Sequence, residues 1–142
     1  MNAKTYLQQI EKSDRLIQNK LAELYQLRCL TTSINSAMKD DVVQTTRSGD
    51  KLASVVAKII DLEREIDSVI DDFVDLKTEC VHVIEQVSDV LQYNILHKHY
   101  VQYKSFVEIA NEEGYTYPWI LECHAKALKK VQDIIKEPIR TA

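Results

Sequence analysis

Glycine and proline are almost missing: the 142 residues hold two of each. Strand-rich folds turn often, and turns draw heavily on both residues. The shortage therefore points to long helices, and two glycines cannot build a glycine-rich phosphate loop. Long apolar runs are also lacking. None approaches the about 18 residues of a membrane span, and the N-terminal stretch has no signal-peptide core. A cytoplasmic protein without membrane contact is expected. Cysteine is sparse as well. Cys29, Cys80 and Cys123 form an odd set without close spacing, each within a helical pattern, so buried free thiols are expected rather than a disulfide framework. Positive charge is not in excess either. The net charge of −4 offers none of the overall phosphate neutralisation that supplies non-specific DNA affinity. What is present is a chain that should fold, with 45% hydrophobic and 28% charged residues.

Catalytic chemistry finds no foothold. His97 and His99 flank Lys98, and His124 follows Cys123. Neighbouring residues on a helix point about 100° apart, so Cys123 and His124 do not converge on one metal ion. The pairs Asp40-Asp41, Asp71-Asp72 and Glu112-Glu113 read as solvated charge, and no nucleophile stands beside an obvious base. The expectation is a protein that is not an enzyme, with no catalytic residue, metal or cofactor.

The chain reads as all-α, in two parts: a long N-terminal helical hairpin over 1–87 and a small three-helix module over 88–142. A first helix over about 3–32 carries Leu7, Ile10, Ile17, Leu21 and Leu24 at three- and four-residue steps, with Asp14 interrupting the seam, broadened by Leu16, Leu27 and Leu30. Residues 33–49 are rich in Ser, Thr and Asp without helical period and read as a long connector. Asp50 is placed to cap a second helix. Its seam runs Leu52, Val55, Ile59, Leu62, Ile66, Val69, Phe73, Leu76, Cys80, Val83, Val87. The unbroken heptad signals a coiled coil, and only a continuous helix keeps such a seam on one face. The seam must be covered by the first helix, by a second copy of the chain, or by both. Ile59, Leu62, Ile66, Val69, Phe73 and Leu76 are the candidate oligomerisation residues, and a homodimer is expected. Ser88-Asp89 marks a cap before a third helix over about 89–100, which carries Val90, Leu91, Ile95 and Leu96.

Residues 105–131 are the densest in local signals. Ser105 and Glu108 fit a capping box, Gly114 a left-handed helix stop, Thr116 a new N-cap, and Pro118 the first turn after it. Tyr115 and Ile120 fit a hydrophobic staple. The inward positions expected are Ile109, Ala110, Ile120, Cys123, Ala127, Leu128 and Val131, with Trp119 packed on Tyr100 or Tyr103 and Tyr117 left for contact. Pro138 should stop the last helix. A short capped helix, a glycine turn and a longer helix make a helix-turn-helix.

On Glu108-Ile109-Ala110, Gly114, Thr116, Ile120 and Ala125-Lys126-Ala127-Leu128-Lys129-Lys130, the last third of the chain resembles region 4 of the primary bacterial sigma factors. The whole chain is similar to a group of phage and prophage proteins from firmicute bacteria. Gln44, Gly49-Asp50-Lys51, Tyr100-Val101 and Phe106 carry that resemblance, together with Glu108-Ile109-Ala110. It is similar in size and tail to phage late-gene transcription activators. The resemblance implies a DNA-binding transcription regulator, with DNA contacts from Thr116, Tyr117, Leu121, Glu122, Lys126, Lys129 and Lys130. Where the sigma factors carry base-reading Arg, Glu, Arg and Gln, this chain has Tyr117, Pro118, Leu121 and Glu122. The alternative is a helical adaptor that binds RNA polymerase, or a packaging complex in the manner of small terminase subunits. The lysines of the last helix are equally readable as phosphate contacts or as a solvated face.

Overall fold

The computed structural model describes residues 1–40 and 45–136, excluding the side chains of 38–40 and 45–46. Within them every regular element is helical: α1 (Ala3–Asp40), α2 (Thr45–Glu85), α3 (Val90–Leu96), a π-helical turn (His97–Val101), α4 (Phe106–Glu113) and α5 (Tyr117–Lys136). The all-α expectation is met. So is the expectation of one long second helix, which runs 41 residues. Among the described residues no helix is long and apolar enough to cross a membrane.

The connector expected over 33–49 is corrected. Helix continues to Asp40 and resumes at Thr45, and residues 41–44 lie outside the described part. Asp50 therefore sits inside α2 instead of capping it. Ser and Thr are only mildly unfavourable in helices, and packing overrode them here: Ile34, inside the supposed connector, is buried. Thr31 and Thr32 return their hydroxyls to the carbonyls four residues back, Leu27 and Arg28.

Two compact units divide the chain, residues 14–72 and residues 1–13 with 73–142. In the first, the two helix segments pack antiparallel, with Leu24 buried against Leu62 and Ile66, and Leu27 and Ile59 alongside. Exposed pairs, Lys20 with Glu65 and Arg28 with Glu63 (3.0 Å), flank this seam. Such pairs contribute little to stability. Cys29 is exposed, against expectation. It lies five residues past Leu24, about 140° around the helix, and so faces away from the seam.

The second unit contains both sides of the boundary expected at 87/88. Its main core gathers Leu7 and Ile10 of α1, Cys80 and Ile84 of α2, Leu96, Tyr100, and Ala127 and Val131 of α5. A smaller core joins Ile95, Ile109, Ala110, Ile120 and Cys123. The expected inward positions are buried apart from Leu128, which is half-buried, but they serve two cores rather than one. Length is the reason. At about 1.5 Å per residue, α3 and α4 are too short to cover the apolar face of the 20-residue α5. The start of α1 covers the remainder, and the Ala3 N–H donates to Gln132 Oε1 at 2.8 Å.

Candidate nucleic-acid interface

Local signals fix the approach to α5. The Ser105 hydroxyl accepts from the Glu108 N–H (3.2 Å), and the Glu108 carboxylate accepts from the Ser105 N–H (3.4 Å), completing the capping box. Gly114 adopts φ +75° and returns its N–H to the Ala110 carbonyl at 3.0 Å. Thr116 caps α5, its hydroxyl accepting from the Trp119 N–H at 3.4 Å. Upstream, Asp89 caps α3 through the Gln92 N–H at 2.9 Å.

One flank of α5 is fixed in the cores by Ile120, Cys123, Ala127 and Val131. The remaining flanks carry Thr116, Tyr117, Leu121, Glu122, Lys126, Lys129 and Lys130, all exposed. The residues expected to contact DNA are thus all exposed, but they are spread over about 220° of the helix circumference rather than along one line. Trp119 departs from expectation. It is 39% exposed, and its ring carries the Lys126 ammonium 5.5 Å from its centre. Tyr100 is committed elsewhere: it is buried, and its hydroxyl lies 2.7 Å from His124 Nε2. A tryptophan two residues into a capped helix sits beside the cap, out of reach of the core on the far side.

Charge near this surface is sorted. Lys98 pairs with Glu113 (2.9 Å) and Glu112 (3.5 Å), and Lys104 with Glu112. The hydrogen bond from Lys104 holds the Glu112 carboxyl below the usual range, and the bond to Glu113 raises Lys98. The acids ending α4 are thereby matched by upstream lysines. Among the described residues Lys126, Lys129 and Lys130 have no carboxylate partner.

Behind α5 lies a cluster that sequence reasoning missed. His99 stacks on Phe106 with centroids 4.0 Å apart, and Phe106 and Tyr100 both contact His124. His99 Nδ1 is 2.8 Å from the Lys104 carbonyl. Burial, then His99 and Lys4, push His124 down to about 4, so it is neutral at pH 7, and burial raises the Tyr100 hydroxyl. The signal available was the spacing of Tyr100 and His124 on their helices, which shows only once the helices are packed. Among the described residues no group of His, Cys, Asp and Glu is placed to hold a metal ion.

Comparison with protein-family models, with curated proteins and with solved structures returns no match.

Proposed function

We propose that this chain is a DNA-binding transcription regulator of phage or prophage origin. In this reading α4 and α5 form a sigma region 4-like helix-turn-helix, and the coiled-coil region joins two copies through the apolar stripe left exposed beside its seam. The observation that supports the reading is that Lys126, Lys129 and Lys130 are exposed and have no carboxylate partner among the described residues, while the acids ending α4 are paired with Lys98 and Lys104. Phosphates are contacted by Lys126, Lys129 and Lys130. Thr116, Tyr117, Leu121 and Glu122 are placed for base edges, Glu122 as an acceptor for a cytosine amino group. Titration against DNA from the chain's own genomic neighbourhood tests it. Each lysine that neutralises a phosphate contributes about −0.9 to the slope of log affinity against log salt. Lys126→Ala and Lys129→Ala should weaken all sequences alike and flatten that slope. Tyr117→Ala and Glu122→Ala should change which sequence is preferred, because base contacts carry discrimination. Affinity no better than non-specific at low salt, untouched by these changes, would refute the reading.

A second reading is favoured by one observation. Tyr117 and Leu121, at the leading end of α5, are apolar and exposed at 46% and 36%, which suits a protein surface as well as a groove. In that case the chain is a non-enzymatic helical adaptor for RNA polymerase or a packaging complex. Retention of purified RNA polymerase by the chain, lost in Leu121→Glu while DNA titrations stay flat, would select it.

A further inference from the structure

One flank of α5 combines open aromatic rings with unpaired cations. Tyr115, Trp119 and Lys126 line a groove of about 520 Å³ between the start of α3 and the first half of α5. Both rings keep area open to solvent, 49% for Tyr115 and 39% for Trp119. The Lys126 ammonium stands 5.5 Å from the centre of the indole and steadies it. The same flank continues past the groove. At 100° per residue Trp119, Lys126 and Lys130 fall within about 40° of arc, along about 16 Å of helix. Both lysines are exposed, with no carboxylate partner among the described residues. Cys123 and Ala127 are buried along the inner edge of this line. Glu122 and Asp133 are exposed along its outer edge, so an anionic chain is confined to the groove side. Tyr117 and Leu121 stand about 160° away around the helix.

These features restrict the occupant. Unpaired cations favour an anion, and open rings favour flat faces beside it. A duplex hides its base faces in the stack, whereas an unpaired strand offers a π-face and a phosphate in every nucleotide. An acidic peptide supplies the charge, but supplies flat groups only where it carries aromatic side chains. The acid in the groove wall is already engaged: Asp89 accepts from the Gln92 N–H at 2.9 Å and caps α3. We propose that this flank binds single-stranded nucleic acid, with bases stacked on Tyr115 and Trp119 and phosphates on Lys126 and Lys130. Stacking is tolerant of sequence, so no base is preferred strongly. The proposal goes beyond duplex recognition. Tyr115 and Trp119 have no part in that reading, and only Lys126 and Lys130 are shared with it.

Trp119 is the sole tryptophan, so indole emission from the full chain reports on this flank. A deoxythymidine decamer should quench it saturably at low salt. An abasic decamer with the same phosphates should bind more weakly, by about ten-fold for each of the two lost stacks. Tyr115→Ala should weaken the thymidine strand about ten-fold and leave the abasic strand unchanged. Lys130→Ala should weaken both strands alike and reduce the slope of log affinity against log salt by about 0.7, the single-strand value for one phosphate. Should Tyr115→Ala disturb the turn into α5, Trp119→Leu makes the same test through the anisotropy of a labelled strand. Equal binding of the thymidine and abasic strands, or no saturable response to either, would overturn the proposal. So would an oligoglutamate of equal charge that quenches the indole as strongly, which would assign the flank to an acidic protein segment. Duplex titrations decide the regulator reading separately: a chain that binds the thymidine strand but no duplex keeps this proposal and loses that one.

Discussion

Gly49 and Gly114 have the same surroundings and opposite requirements. A Cβ at either would meet nothing within 4 Å. Gly49 lies inside α2, where glycine costs roughly 0.5–1 kcal/mol relative to alanine, so Gly49→Ala should raise the melting temperature. Gly114 holds φ +75°, where a Cβ is strained by about 1–2 kcal/mol, so Gly114→Ala should lower it by a few degrees. Thermal melts of the two variants should move in opposite directions, and a shared direction would contradict the backbone assignment of one of them. His124 sets a pH dependence at the same scale. An imidazole in the unfolded chain titrates near pH 6.5, while burial holds folded His124 at about 4. The unfolded state binds the proton first as pH falls. Stability from neutral His124 is therefore intact above about 6.5 and is lost progressively toward 4. His124→Phe should be less stable at neutral pH, because the Tyr100 hydroxyl loses its hydrogen-bond partner. It should also lose less stability than the native chain between about pH 6.5 and pH 5. Parallel pH profiles would refute this role.

Elements were most legible where one physical rule acted alone. The heptad seam of α2 needs only periodicity, and Val55, Leu62, Ile66 and Cys80 of that seam are buried. The caps at Ser105, Thr116 and Asp89 and the turn at Gly114 are local hydrogen bonding and backbone sterics, and they stand where the residues place them. Legibility failed where distant packing decided. Residues 33–40 lack period and are helical, because Ile34 is buried there. The third helix loosens into a π-helical turn at His97–Val101, which the sequence reading took as continuous helix. The groove at Gln92 and Trp119 needed two helices to be set side by side. Ile66→Asp tests the seam. The residue is 4% exposed and a carboxylate there has no partner, so several kcal/mol of desolvation should act against folding. Helical content should melt at markedly lower temperature than in Ile60→Asp, a change at a position 46% exposed. Equal melting of the two variants would deny the seam its buried role.

At the scale of the molecule, the segment 14–72 leaves more apolar surface than its own seam consumes. Leu24, Leu62 and Ile66 are covered within the chain. Yet Leu16, Leu21 and Leu30 on α1, and Val56, Ile60 and Ile70 on α2, are each 36% exposed or more. At 100° per residue Val56, Ile60 and Ile70 fall within about 80° of arc, beside the covered seam. Contiguous exposed apolar area marks an interface more often than a free surface, and an isologous dimer covers both copies at once. The native chain should therefore scatter light as a dimer at tens of micromolar, while Ile60→Glu combined with Ile70→Glu should give a monomer of 16.4 kDa with helical content retained. The regulator reading adds a consequence that dimerisation alone does not. Two recognition helices on one dimer bind half-sites about 10 base pairs apart or a multiple of that. The double variant should lose most of its affinity for a paired site and keep that for a single half-site. A native chain that is already monomeric would end the dimer proposal and would require the exposed stripe to serve a different partner. A dimer whose disruption leaves paired-site affinity unchanged would separate self-association from DNA recognition.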